Sequence, residues 1–241
     1  MPETPIFTLD QLTGRSRDHL AELTGPACVL HRDVVSPFLT LRAAAAADGI
    51  DLVAISSFRD FDRQLAIWNG KFRGQKPMQD RSGQPLDVTR LGAAERVQAI
   101  LWWSALPGTS RHHWGTDFDV VDGAAMSPGF RPRLVPEEYL PGGPFHKLTT
   151  WLDARMHDFG FFRPYTTDRG GVSPEPWHLS YAPVAAAAAA QFSLQGLREV
   201  LAAADIEGKA EVLASLAGNY SNYVVNVDPP PPQARFSPML A

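Results

Sequence analysis

The apolar positions of the chain change period several times, and each change marks an element. Ser36-Pro37, then Phe38–Ala47, then Gly49 predict a helix: a capping hydroxyl, proline in the first turn and glycine past the end. Ile50–Ser57 (IDLVAISS) is a short β-branched run and predicts a buried strand. Asp60–Phe72 carries Phe61, Leu65 and Trp68 at helical spacing. Ala93–Leu106 predicts a helix stopped by Pro107-Gly108, and Thr116–Asp122 (TDFDVVD) a strand. Pro144–Phe159 reads as a helix closed by Gly160, with short strands at Phe161–Arg163 and Trp177–Tyr181. Pro183–Phe192, Leu194–Ala204 and Lys209–Leu216 predict three further helices.

Between these elements the pattern lapses. Residues 73–92, rich in Gly, Pro, Asp and Arg, predict a long surface loop that could cover a site as a lid. Residues 123–144 hold five prolines and four glycines and predict irregular structure. Pro229–Pro232 begins a tail with no apolar pattern, expected to be extended. Short strands interleave with helices without a βαβ rhythm. That favours an α+β fold, a small and mainly antiparallel sheet with helices packed around it.

Composition narrows the class. The 241 residues suit one large domain, or one domain with an appendage. With 22 basic and 26 acidic residues the formal net charge is −4, which argues against a nucleic-acid binder. The single Cys28 excludes an internal disulfide, a cysteine zinc site and a CxxC redox pair. No apolar run approaches the ~18 residues of a membrane span. Met1–Leu20 carries charges throughout and does not read as a secretory signal, an argument for the cytoplasm by that criterion. Oligomeric state is not legible.

Two segments carry chemistry: Ser110-Arg-His112-His113-Trp114-Gly115-Thr116-Asp117-Phe118-Asp119, and Glu175-Pro176-Trp177-His178. His112, Asp119 and His178 together offer three metal ligands, the inventory of a catalytic zinc with an open fourth position. Glu175 and His178 are three apart, so a regular strand would set them on opposite faces. Pro176 interrupts that regularity and leaves Glu175 in a loop leaning over the metal, where a carboxylate suits activation of water. His31-Arg32-Asp33 echoes a kinase triplet and a His-x-Asp iron pair, but no phosphate loop or partner histidine pattern accompanies it.

The spacing Ser110-x-His112-x-x-Gly115-x-x-x-Asp119, then Glu175-x-x-His178, resembles the VanY-type D-alanyl-D-alanine carboxypeptidases. These are zinc peptidases of bacterial cell-wall peptides, related to lysostaphin-type enzymes and the hedgehog domain. Ser56-Ser57-Phe58-Arg59, with Gln64 five residues on, resembles the family's upstream Ser-x-aromatic-Arg segment. The resemblance spans about residues 35–182. It implies a hedgehog/DD-peptidase-like fold and a zinc peptidase domain over residues 1–192. Residues 193–241 then form a C-terminal helical extension and proline-rich tail packed on the same domain.

The resemblance also implies roles. His112, Asp119 and His178 hold one Zn2+ per chain, and Glu175 is the general base and then acid. Arg59 stabilises the oxyanion or grips a substrate carboxylate. Ser110 orients a ligand or the substrate, and Gln64 hydrogen-bonds the substrate. The implied partner is a peptidoglycan-derived peptide, cut as a D-alanyl-D-alanine or L,D-carboxypeptidase, which argues for the cell envelope. A peptidoglycan endopeptidase and a non-catalytic zinc-containing binding domain are the alternatives. One departure stands out: Asp117 replaces the family's usual alanine. It is expected to contact a cationic substrate group, to support a ligand histidine, or to pair with Arg111. His113 has no assigned role.

Overall fold

The computed structural model describes residues 5–230. In chain order the elements are α1 (Leu9–Leu12), β1 (Leu20–Leu23), β2 (Cys28–His31), α2 (Val35–Ala47), β3 (Leu52–Ser56), α3 (Phe61–Phe72) and α4 (Ala93–Leu101). They continue with β4 (Asp117–Asp122), α5 (His146–Arg155), β5 (Phe161–Phe162), β6 (His178–Tyr181), α6 (Ala182–Gln191), α7 (Leu194–Ala203) and α8 (Lys209–Tyr220). The class is α+β, with a β1–β2 hairpin and a four-stranded antiparallel sheet in the order β3-β4-β6-β5.

Strand alternation divides the sheet into two faces of different character. Leu52, Ala54, Phe118, Val120 and Leu179 point to one side and pack against Phe38 and Leu41 of α2 and Leu148 and Leu152 of α5. Phe118 is fully buried there, edge-on to Phe38 and Phe161. The opposite face carries Asp117, Asp119, His178 and Ser180. A second core joins Trp68 of α3 and Ile100 of α4 to Leu197 and Leu201 of α7 and Val212 and Leu216 of α8. The C-terminal helices therefore share apolar packing with the helices that flank the site.

The structure departs from the sequence reading in four places. The β1–β2 hairpin has no counterpart there, because its Leu-Ala-Glu-Leu strand lacks β-branched residues. Helix α4 ends at Leu101 rather than Leu106. The carbonyls past its end are taken by other elements: Trp102 O by the Ser173 amide and Ala105 O by the Gln64 carboxamide. Helix α8 runs through Gly218 to Tyr220, whose ring stacks on Phe192 and whose hydroxyl donates to Phe192 O. Helix α2 starts at Val35, ahead of the Ser36 expected to cap it. The 73–92 segment is largely loop as expected, tied down where Trp103 Nε1 donates to Asp80 O and Arg81 pairs with Asp168. The proline-rich tail lies outside the described residues beyond position 230. Among the described residues, no helix is long and apolar enough to cross a membrane.

One glycine joins hairpin to sheet. Gly115 closes the 3-10 turn Arg111–Trp114 at φ +69°, and its carbonyl accepts the His31 amide at 2.8 Å. A Cβ there would stand 2.6 Å from His31 N. Both the left-handed backbone and the backbone contact exclude a side chain. Gly115→Ala should lose more than ~2 kcal/mol of stability by urea unfolding, since a strained backbone position costs about 1–3 kcal/mol before any clash. An unchanged urea midpoint would show that the turn tolerates a Cβ.

Candidate active site

The site begins with strand register. Across β4 and β6, Asp119 stands opposite His178 and Asp117 opposite Ser180. Across β3 and β4, a bulge between Ala54 and Ser56 brings Ser56 opposite Asp119. Residues directly opposite in an antiparallel pair share a face, so Ser56, Asp119 and His178 form a row across three strands. His112 joins them from the 3-10 turn before β4. Its Nε2 lies 3.6 Å from Asp119 Oδ2, and His178 Nδ1 lies 3.6 Å from Asp119 Oδ1. Glu175, one short loop before β6, reaches back to put Oε2 3.1 Å from His178 Nδ1.

The histidine turn also fastens the arginine segment. His112 Nδ1–H donates to Ser57 O at 3.0 Å, and the His112 carbonyl accepts the Arg59 amide at 3.3 Å. His113 Nδ1–H donates to Arg59 O at 2.5 Å, while its Nε2 accepts the Gly108 amide at 3.2 Å. These bonds hold residues 57–59 against the turn. They also set the His112 tautomer, because a carbonyl can only accept, and so leave Nε2 as a lone pair facing Asp119. His113, unassigned from sequence, is fully buried with both ring nitrogens engaged.

His178 is set by the same logic from the other side. Its Nε2 donates to Asp117 Oδ1 at 3.0 Å, leaving Nδ1 toward Asp119 and Glu175. Asp117 in turn accepts from Arg111 Nε at 2.7 Å and from Thr116 Oγ1 at 2.5 Å. Arg111 also donates to Ser180 Oγ and lies over the Trp114 ring. The Asp117 environment decides among its three expected roles. It is fully buried with both oxygens occupied, paired with Arg111 and bonded to a histidine, two of its three expected roles. Gln64, expected at the substrate, is fully buried, accepting from Arg59 Nη1 at 2.8 Å and donating to Ala105 O at 2.7 Å, and so holds the arginine. Arg59 is half-buried and also donates to Ser56 Oγ. Ser110 heads the 3-10 turn, buried, its carbonyl accepting the His113 amide.

The electrostatics are those of a cation site. Burial would push the Asp117 carboxyl up, but Arg111 and the His178 hydrogen bond hold it well below the usual range. Burial would push His178 down, but its bonds to Asp117 and Glu175 and the field of Asp119 push it up to about 10. Asp119 is pushed up to about 6 by burial, which the His178 charge only partly offsets. His112 is driven well down by burial, with Arg59 and His178 adding to it. Burial also lowers Arg59, against the opposing pull of Asp119 and Glu175.

Do these residues fit a metal? One donor atom from each of His112, Asp119 and His178 lies within 4.8 Å of the other two, and all three residues are buried. The Asp119 Oδ1 is buried without a hydrogen-bond partner, which is costly for a carboxylate unless a cation meets it. Tetrahedral zinc with ~2.0–2.1 Å bonds sets neighbouring donors about 3.3 Å apart, close to the 3.6 Å separations seen. Two imidazoles and one carboxylate are borderline donors of the kind zinc takes, His178 once a metal displaces the Nδ1 proton that Glu175 otherwise accepts. The donor set fits.

Sequence reasoning missed Tyr165, whose ring lies edge-on to the His178 ring at 5.1 Å and whose carbonyl accepts the Glu175 amide. No spacing ties it to the two motifs; only the β5–β6 pairing brings it there. Arg111 was legible as a partner for Asp117, but Ser180 was not.

The VanY family, D-alanyl-D-alanine carboxypeptidase, matches residues 27–184. An uncharacterized protein of Haemophilus influenzae is 43% identical over 103 residues, 42% of this chain and 70% of the relative. A D-alanyl-D-alanine carboxypeptidase of Enterococcus faecalis is 31% identical over 157 residues, 64% of this chain and 48% of the relative. Among solved structures, a mutant of the vancomycin-resistance D,D-pentapeptidase VanY from a VanB-type cassette, in complex with Zn(II), is 25% identical. That likeness covers 71% of this chain and 84% of the other, with a TM-score of 0.49. The family match takes in the arginine segment, the histidine turn, β4 and β6 together, and the chain belongs to the VanY D-alanyl-D-alanine carboxypeptidase family.

Proposed function

We propose that this chain is a zinc-dependent carboxypeptidase that hydrolyses a peptide bond next to the C-terminus of peptidoglycan peptides, a D-alanyl-D-alanine or L,D bond. The observation that carries the reading is the buried His112–Asp119–His178 donor set with Glu175 beside it. A purely structural zinc site needs no further carboxylate at its edge and no half-buried arginine. Peptides of this class are met in the cell envelope, and that is where the activity would act.

His112 through Nε2, Asp119, and His178 through Nδ1 would hold one zinc ion per chain. Zinc bound there lowers the pKa of water toward neutrality and polarises a carbonyl. Glu175 accepts the proton of the attacking water at its carboxylate and returns it to the leaving amine. Asp117, itself held by Arg111, keeps His178 in the tautomer that presents Nδ1. Ser110 and Gly115 fix the two ends of the turn that carries His112. Arg59, fastened at its carbonyl by His113 and at its guanidinium by Gln64 and Ser56, stabilises the negative charge that develops on the substrate carbonyl oxygen.

The two kinds of residue separate by experiment. His178→Ala should purify with little zinc by elemental analysis. Glu175→Gln should keep a full equivalent of zinc yet lose about 10²–10⁴-fold in kcat on a D-Ala-D-Ala-terminated peptide. Equal zinc in wild type and His178→Ala would remove the ligand assignment, and near-normal turnover by zinc-loaded Glu175→Gln would remove the base. Arg59→Lys keeps the charge but not the planar fork. It should cost about 2–4 kcal/mol in kcat/KM, borne by kcat for free-acid and amidated peptides alike. A loss confined to KM on free-acid peptides would instead mark Arg59 as a carboxylate grip.

A further inference from the structure

Helix α3 carries a cation that the proposed chemistry does not use. Lys71 follows Gln64 by seven residues, so the two share a helix face about 10 Å apart along the axis. Both reach the same neighbouring turn. Gln64 Nε2 donates to Ala105 O at 2.7 Å, and Lys71 Nζ donates to Ser104 Oγ at 2.8 Å. Because Gln64 also accepts from Arg59, a continuous hydrogen-bonded rim runs from Arg59 through Gln64 and residues 104–105 to Lys71. Lysine side chains lean toward the helix N-terminus, which brings the amine back toward the site. Arg59 and Glu175 both act on the amine through space.

Lys71 is also uncompensated. Two basic residues nearby have carboxylate partners, Arg73 with Glu207 and Arg81 with Asp168. Among the described residues no carboxylate lies within ion-pair distance of the Lys71 amine, whose hydrogen-bond partner is the neutral Ser104 hydroxyl. The stem of Lys76 lies against Gly70, and its charge adds to the positive field on Lys71. Burial pushes the amine down to about 8. An ammonium withdrawn from water without an anion is costly, and an incoming carboxylate would relieve that cost.

We propose that Lys71 and Ser104 form a second binding subsite on this rim, which takes a carboxylate of the peptide substrate. The inference rests on the peptidase reading above and deepens it. Because the rim that ends at Lys71 begins at Arg59, the carboxylate belongs to a residue close to the cut bond. A peptide has two sources for it, the free C-terminus and an acidic side chain.

The test measures binding apart from turnover. Zinc-loaded Glu175→Gln protein is titrated calorimetrically with a D-Ala-D-Ala-terminated pentapeptide bearing one acidic side chain, with its C-terminal amide, and with its side-chain amide. The same series is run with Lys71→Met and with Lys71→Arg added. One amidation should weaken binding at least tenfold when Lys71 is present. Lys71→Met should erase that difference, and Lys71→Arg should keep most of it. The amide that loses affinity identifies which carboxylate is held. An equal ratio of parent to amide affinity with Lys71 in place and in Lys71→Met would overturn the subsite. If Lys71→Met does not fold, Ser104→Ala serves, with at least a threefold loss of discrimination expected and no loss contradicting the proposal. Mass spectrometry of the same peptides with the Glu175-intact protein separates the two readings. Carboxylate-selective binding without cleavage would sink the peptidase reading and leave the subsite standing. Cleavage without carboxylate selectivity would do the reverse.

Discussion

The pairing of β4 with β6 is the constraint on which the rest of the site depends. Its register places Asp119 opposite His178 and Asp117 opposite Ser180. Strand alternation then sends Phe118 and Leu179 into the core while the polar residues face the other way. A slip of one residue would bury the carboxylates among α2 and α5 and turn the phenylalanine toward the site. The apolar packing of one face thus holds the polar row of the other in place. The site's geometry inherits its rigidity from ordinary core packing, centred on Phe118, Phe38 and Phe161.

Burying so many charges on one sheet face would be prohibitive if they stood alone. They stand in sequence instead. Arg111 meets Asp117, Asp117 meets His178, and His178 meets Glu175. The Asp119 oxygen left without a partner is the break in that sequence, at the point where a cation would complete it. On the other side, the consecutive pair His112-His113 grips residues 57–59 by two ring nitrogens and a carbonyl. The candidate metal donor His112 and the backbone of Arg59 are therefore set by one short turn. Displacing either moves both.

Much of this was legible in the chain. Residues whose partners follow from motif spacing, namely His112, Asp119, Glu175 and His178, come together in the structure. The disruptive effect of Pro176 was readable too, since it lets Glu175 and His178 approach although three residues apart. Helix α3 fell where expected behind its Asp60 cap, whereas α2 starts at Val35, ahead of the Ser36 expected to cap it. What escaped depended on distant segments. Helix α4 stops early because Ser173 and Gln64 take carbonyls beyond its end, and no local propensity encodes that. Tyr165, Ser180 and Lys71 reach the site region through strand pairing or helix packing, so their neighbours cannot be read from spacing. For Asp117 residue type left three roles open and for Gln64 it suggested substrate contact; their burial and their bonds to Arg111, His178 and Arg59 depend on distant segments that spacing does not reveal.

The central claim is that this buried donor set makes a peptidase of the chain when zinc is present. Mass spectrometry of a defined pentapeptide-stem muropeptide tests it most directly, after incubation with zinc-loaded protein and with protein stripped by a chelator. The account predicts loss of a single C-terminal residue with the loaded protein, none with the stripped protein, and recovery when zinc is returned. An intact muropeptide after prolonged incubation with fully zinc-loaded protein, or equal cleavage with and without the metal, would contradict it.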